Sequence, residues 1–285
     1  MEQRSVRRGE RVTDLSVPLA DGARLAALDA RPEGAARATA LLVPGFTGSK
    51  EDFLPLLPLL ADAGVRVVAV DQRGQHESHH DDAPDAYTVP RLAADVVEVL
   101  DVLGGRAHLL GHSFGGLVAQ AAAAAVPERL ASLVLLCSGP AALPEGRRSR
   151  DARLLLDRLP GLDLEHAWQA RRELDPRPEQ APEVEDFLRR RWTSTDREHY
   201  LVVARTLLEH ADGVDGLARA LQDAHVPVLV AHGVDDNAWP AEQQADMARR
   251  LGAAYAVVPD AAHSPAYEAP AATAELLLGH WGLLP

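Results

Sequence analysis

From residue 38 to residue 139 one pattern repeats. A short run of leucine or β-branched residues is followed by a glycine-bearing turn, then by a longer stretch whose apolar positions recur every three or four residues. This alternation predicts parallel strands joined by crossover helices. The short runs are Ala40 to Val43, Val65 to Val70, His108 to Leu110 and Leu133 to Leu136. Each is too short for a core helix and is bounded by Gly or Pro, so each reads as a buried strand. Glu51 to Ala63 and Val89 to Leu103 carry Leu, Val and Ala at helical spacing and are the predicted crossover helices. Upstream, Ala20-Asp21-Gly22-Ala23 divides two alternating stretches within Asp14 to Ala30, a hairpin signal that predicts an antiparallel edge. Downstream, strands at Val226 to Ala231 and Ala254 to Val258 alternate with helices near Glu242 to Leu251 and Tyr267 to Trp281. The expected fold class is α/β: a mostly parallel sheet of about eight strands with helices on both faces.

Residues 141–224 break this rhythm. They show helical spacing at Arg153 to Leu159, Leu164 to Leu174, Val184 to Trp192 and His199 to His210, with breaks at Pro160-Gly161 and Asp175-Pro176-Arg177-Pro178. The stretch holds 14 of the 29 basic residues beside 17 acidic ones, so its helices carry mixed-charge faces. It reads as a helical cap inserted between the sixth and seventh strands, leaving 1–140 and 225–285 as the core.

A chain of 285 residues suffices for one α/β domain with an insertion. Its net charge of −13 repels phosphate backbones and anionic lipid, so the expected partner is a small-molecule substrate, with no nucleic acid and no membrane; oligomeric state is left open. Cys137 is the only cysteine, which excludes an internal disulfide and a thiolate metal cluster and suits a reducing compartment. The opening MEQRSVRRGERVTDL lacks the apolar run of an export signal, and no apolar stretch approaches the roughly 18 residues of a membrane span, so a cytoplasmic location is expected. Lys50 is the only lysine, and no chemistry is drawn from it.

Gly111-His112-Ser113-Phe114-Gly115-Gly116 follows the strand Arg106 to Leu110 and opens the Ala-rich helix Leu117 to Val126. Strand, tight turn, serine and helix together form a nucleophile elbow, in which Gly111 and Gly115 spare the turn a Cβ collision and Ser113 meets the positive end of a helix dipole. A serine hydroxyl needs a general base and an orienting carboxylate. Gly233-Val234-Asp235-Asp236-Asn237-Ala238-Trp239-Pro240 supplies acids at the C-terminal end of a parallel strand, where open α/β sheets build their sites, and Asp260-Ala261-Ala262-His263-Ser264-Pro265 supplies a histidine beyond the last strand. The order Ser, Asp, His matches this strand-turn-helix chemistry. His112 and His232 read as packing or hydrogen-bonding residues. His76, His79 and His80 with Asp81 and Asp82 have no recognisable metal-ligand spacing and read as a solvated loop.

GHSFGG, the G-x-x-D-x-x-x-P stretch and the late AAHSP resemble the α/β-hydrolase-fold serine hydrolases over nearly the whole chain. The resemblance implies Ser113 as nucleophile, His263 as base and Asp236 rather than Asp235 as the orienting acid. It implies an oxyanion hole made from the backbone amides of Phe114 and Phe46, the latter in Pro44-Gly45-Phe46-Thr47-Gly48-Ser49, where Pro44 stands in place of the family's usual histidine. Asp71-Gln72-Arg73-Gly74-Gln75-His76-Glu77-Ser78 resembles the family's D-x-R-G-x-G-x-S turn, with His76 in place of a glycine and an expected role in holding neighbouring loops.

The implied reaction is cleavage of an ester-like carbonyl through an acyl-serine, with no metal and no organic cofactor. Carbon-carbon bond, enol-lactone and thioester hydrolysis and perhydrolysis use the same three residues and stay open, as does a non-catalytic small-molecule-binding homologue. Epoxide and haloalkane hydrolysis in that family start from an aspartate at the elbow, where this chain has Ser113. Trp168, Trp192 and Trp239, with Phe46 and Phe114, are the candidates to wall an apolar substrate pocket; packing of Trp168 and Trp192 between cap helices is the alternative.

Overall fold

Valine and leucine at successive positions of the central strands send side chains alternately to opposite faces, and both faces are buried. The structure is a computed structural model and describes residues 11–81, 83–174 and 181–284. Residues 1–10, Asp82 and the break at Asp175-Pro176-Arg177-Pro178, all used in the sequence reading, lie outside the described residues. Among the described residues the strands are β1 (Val12–Pro18), β2 (Arg24–Ala30), β3 (Ala38–Val43), β4 (Val65–Val70), β5 (Ala107–His112), β6 (Leu130–Leu136), β7 (Val228–Gly233) and β8 (Ala254–Val258). They form one sheet in the order β1-β2-β4-β3-β5-β6-β7-β8. β2 is antiparallel to both β1 and β4, as the hairpin signal predicts, and every other pairing is parallel.

The helices are α1 (Leu57–Asp62), α2 (Val89–Leu103), α3 (Phe114–Ala125), α4 (Arg147–Arg158), α5 (Leu164–Leu174), α6 (Pro182–Ser194), α7 (Arg197–Glu209), α8 (Val214–Asp223), α9 (Ala241–Leu251), α10 (Pro265–Glu268) and α11 (Pro270–His280). On one face of the sheet Leu41, Leu109, Leu133 and Val230 pack with residues of α2, α3, α8 and α9. On the other, Leu42, Leu110, Val134 and Ala231 pack with α1 and α11. Among the described residues no helix is long and apolar enough to cross a membrane.

Three elements differ from the sequence expectation. Glu51 to Ala63 is not one helix: a single 3-10 turn over Lys50–Phe53 is followed by α1, because Pro55 has no amide to donate and its ring clashes with the preceding turn. Tyr267 to Trp281 divides into α10 and α11 at Pro270 for the same reason. The helix α8 was not anticipated. It falls within 141–224 yet buries Val214, Leu217 and Leu221 in the sheet-facing core with α3 and α9.

The remaining helices between β6 and β7 form a smaller apolar cluster around Leu159, Ala167, Trp192 and Tyr200. Polar contacts fasten them to the sheet-bearing part. Arg191 pairs with Asp52 at 2.6 Å, the Tyr87 hydroxyl donates to Asp196 at 2.7 Å, and His199 Nδ1 donates to the Arg73 carbonyl at 3.0 Å.

Candidate active site

The chain leaves β5 and enters α3 without a connecting loop, and the residue at the junction absorbs the turn. Ser113 has φ 55° and ψ −121°, a left-handed backbone that costs a non-glycine residue roughly 1–3 kcal/mol unless its surroundings fix it. The surroundings do so through its amide, which donates to the Leu136 carbonyl at 2.9 Å, and through two close approaches. A Cβ on Gly111 would meet the Gly115 carbonyl oxygen at 2.3 Å, and one on Gly115 would meet the Pro44 and Val43 carbonyl oxygens at 2.4 and 2.5 Å. Glycine at both places lets the turn close against itself and against the loop after β3.

The elbow at the C-terminal end of β5 and the loops after β7 and β8 bring Ser113, Asp236 and His263 together. His263 Nε2 lies 3.0 Å from Ser113 Oγ, and His263 Nδ1 lies 2.7 Å from Asp236 Oδ1. The adjacent Asp235 is exposed. The Asp236 carboxylate is 1 % exposed and fully engaged: its Oδ1 also accepts from the Ala238 amide at 3.1 Å, and its Oδ2 accepts from Gln244 Nε2 at 3.0 Å. Burial opposes its ionisation, but His263 and these donors outweigh burial and hold its pKa below the ordinary carboxylate value. Glu268 shapes the histidine loop by accepting from the Ala262 and Ser264 amides at 2.7 and 3.2 Å. His112 Nε2 donates to the His263 carbonyl at 2.6 Å, and burial, aided by the neighbouring His263, pushes the His112 pKa down to about 4. His232 is held between the Gly233 carbonyl and the Tyr255 hydroxyl. Both histidines are hydrogen-bonding residues, as their positions suggested.

The loop after β3 passes against the elbow, since a Cβ on Gly45 would sit 3.1 Å from Ser113 Cβ. Pro44 has no side-chain polar group to anchor this loop, and two glutamines do so instead. Gln72 Nε2 donates to the Pro44 carbonyl at 2.9 Å, and Gln75 Nε2 donates to the Gly45 carbonyl at 2.8 Å. With these carbonyls held, the amides of Phe46 and Phe114 donate to no acceptor among the described residues. Two unsatisfied amides beside a serine are what an oxyanion requires. Neither glutamine stands out in the sequence; only the motif around them does.

Lys50 is fully buried, its ammonium 2.8 Å from Asp71, 2.9 Å from Glu51 and 2.7 Å from Glu77. Glu51, His76 and Glu77 converge closely enough to hold an ion, but the Lys50 ammonium is the cation that meets both of these glutamates. His76 is half-buried against Phe187 and Ser194, whereas His79 and His80 are exposed. His112, Cys137 and His263 also converge. There both His263 nitrogens are engaged, His112 holds a carbonyl, and burial keeps the Cys137 thiol protonated by raising its pKa, so this donor set does not suit a metal.

Trp168 and Trp192 line a cavity of about 40 Å³ between the helical insertion and Thr47. Trp239 lines neither this cavity nor the larger one beside His76; it is 1 % exposed, and its indole N–H donates to the Ala141 carbonyl at 3.1 Å. Phe46 instead meets Tyr200 edge-on at 5.8 Å, and Tyr200 stacks on Trp192 at 4.4 Å. Tyr200 was missed because its place in this ring series depends on the docking of α7, which no local pattern encodes.

The fold and these loops define an α/β hydrolase. The model of the alpha/beta hydrolase family matches residues 40–276, and the chain belongs to that family. It is 43 % identical over 118 residues to RutD of Variovorax paradoxus, provisionally assigned as a carbamate hydrolase, covering 41 % of this chain and 44 % of the relative. It is 37 % identical over 117 residues to epoxide hydrolase A of Mycobacterium tuberculosis, covering 41 % and 36 %. The matches thus span less than half the length of these curated relatives. Among solved structures, an esterase from Thermogutta terrifontis superposes with a TM-score of 0.73 at 26 % identity, over 94 % of this chain and 97 % of the esterase.

Proposed function

We propose that the protein is a serine hydrolase of carboxylic esters. The observation that carries this reading is the relay itself: Ser113 Oγ at 3.0 Å from His263 Nε2, with His263 Nδ1 at 2.7 Å from a buried, ionised Asp236. In this reading the Ser113 oxygen adds to the ester carbonyl while His263 takes its proton. The carbonyl oxygen, now negative, accepts from the Phe46 and Phe114 amides. His263 returns the proton to the departing alcohol, leaving an acyl-serine. Water, deprotonated by the same nitrogen, then releases the acid and restores Ser113. The esterase similarity supports the substrate class. The epoxide hydrolase similarity supports it less, because the elbow carries a serine hydroxyl, which acylates, and not an aspartate. The same residues serve thioester, lactone and carbon-carbon bond hydrolysis, and ester cleavage is the reading adopted. Small-molecule substrate, absence of cofactor and a cytoplasmic site of action belong to this proposal.

A fluorophosphonate probe tests it. One adduct is expected, on Ser113, with 4-nitrophenyl ester turnover lost by about 10⁴- to 10⁶-fold in Ser113→Ala. An unlabelled, well-folded protein would overturn the reading.

A further inference from the structure

Asp236 is gripped from a side that the proton relay does not use. Its Oδ1 serves His263 and the Ala238 amide, while its Oδ2 accepts from Gln244 Nε2 at 3.0 Å. Gln244 lies near the start of α9 and is fully buried. The same Nε2 donates to the Trp239 carbonyl at 3.0 Å. Trp239 is itself fixed, because its indole N–H donates to the Ala141 carbonyl and a Cβ on Gly139 would collide with its ring.

The other end of the glutamine amide is left over. Gln244 Oε1 is buried and accepts no hydrogen bond among the described residues. A buried polar atom without a partner destabilises a fold, and an apolar side chain of similar length, such as methionine, would leave no such atom. Packing therefore does not account for a glutamine here, and its two acceptors do. Turning the amide over would set Oε1 against a carboxylate oxygen and a carbonyl oxygen, so these acceptors dictate which way the amide faces. A donor fixed on Oδ2 stops the carboxylate from turning about its own bond, which keeps Oδ1 in line with His263 Nδ1 at 2.7 Å. It also shares the carboxylate's charge, so Asp236 draws less strongly on the His263 proton.

On the serine-hydrolase reading, we propose that Gln244 is a positioning residue of the relay: through Oδ2 it fixes the Asp236 carboxylate on His263 and restrains that carboxylate's pull on the imidazole proton, so that His263 remains a neutral base. Gln244 acts through Asp236 and not on the substrate.

Gln244→Met keeps the shape and deletes the donor. With a 4-nitrophenyl ester, kcat should fall by about 10- to 100-fold and KM should stay within about threefold, the effect of losing one hydrogen bond to a charged group. The acid limb of kcat/KM, where His263 takes on its proton, should move up by about half a pH unit or more, because a carboxylate without this donor holds the imidazolium more firmly. The other ionisable groups facing the pair are His112, Cys137, Glu268 and Asp235. Burial and His263 push His112 down to about 4, burial and Asp236 push the Cys137 thiol up, Glu268 accepts from two amides, and Asp235 faces water. His112 and Cys137 thus keep one protonation state across that limb. In an Asp236→Asn background Gln244→Met should lower kcat by no more than about threefold, and fully additive losses overturn the proposal. An unmoved acid limb in folded Gln244→Met assigns the glutamine to packing and overturns it as well. Should Gln244→Met fail to fold, Gln244→Glu keeps the size and donates to Asp236 only while protonated. Its kcat relative to wild type should then fall by about tenfold or more from pH 6 to about 9, and a constant ratio overturns the proposal. Wild-type protein that takes no fluorophosphonate on Ser113 overturns the serine-hydrolase reading and this proposal with it, whereas labelling with an unmoved limb overturns this proposal alone.

Discussion

Asp235 and Asp236 are neighbours in sequence with opposite surroundings, and the difference sets what each can do. Asp236 is enclosed by donors and touches His263, whereas Asp235 faces water. Asp236→Asn should lower kcat by roughly 10⁴, since an amide neither selects the needed histidine tautomer nor stabilises the imidazolium, while Asp235→Asn should stay within about tenfold. Steady-state kinetics on the two variants distinguishes them, and reversed effects would transfer the role to Asp235. At the elbow, Gly115→Ala forces a Cβ to within 2.5 Å of two carbonyl oxygens of the loop after β3. That loop also carries the Phe46 amide, so the substitution should reduce kcat far more than KM and lower the melting temperature. A variant with wild-type kcat would show that the loop can retreat without loss.

At the scale of elements, the helix α8 shows where local pattern and long-range packing part. Leu217→Ala should destabilise the protein by about 2–4 kcal/mol through the cavity it leaves against α3 and α9, read as a lower denaturation midpoint, with ester selectivity unchanged. The strands and the long helix α2 were legible because their apolar positions repeat with a fixed period and are bounded by glycine or proline. Ser113, Asp236 and His263 were legible because each sits in a short motif at a strand end. What was not legible depends on partners far along the chain. The helix α8 carries acids, an arginine and a glycine among its apolar residues, and its inward face is defined only by α3 and α9. Gln244 meets Asp236 only once α9 has packed beside β7. Pro55 and Pro270 were visible in the sequence, yet helical periodicity on both sides masked the break each imposes.

For the molecule as a whole, buried histidines set how stability responds to acid. Burial pushes His108, His112 and His199 down to about 4 from the ordinary 6.5 that each regains on unfolding. Between those values the unfolded chain binds more protons, so their contribution is complete above about pH 6.5 and is lost as the pH falls toward 4. Asp71 has the opposite sign. Burial pushes it up to about 7, so its contribution is present below the ordinary carboxylate value, is lost as the pH rises through 7, and offsets one of the three histidines. Asp95 is shifted in the same direction as Asp71. Near pH 5 these groups together should make unfolding take up about two protons, so stability should fall by about 3 kcal/mol per pH unit of acidification, and His76, His210 and His280, which burial also pushes down, add to that uptake. Urea midpoints measured between pH 7 and about 5 check this; a flat profile would mean that these histidines charge without leaving the fold.

The burial of Lys50 has a practical consequence of a different kind. Its ε-amine is the only one in the chain, it is protonated, and carboxylates crowd it on three sides. Burial lowers its pKa, but Asp71 and Glu51 outweigh that and raise it above the ordinary lysine value. A lysine-directed acylating reagent therefore finds no free ε-amine on the native protein and gains exactly one such site when the sheet and the loop after β3 come apart. Mass-resolved acylation of this single residue is a stopwatch for opening: its rate at increasing reagent concentration should level off at the rate at which the native state lets go of that corner of the molecule.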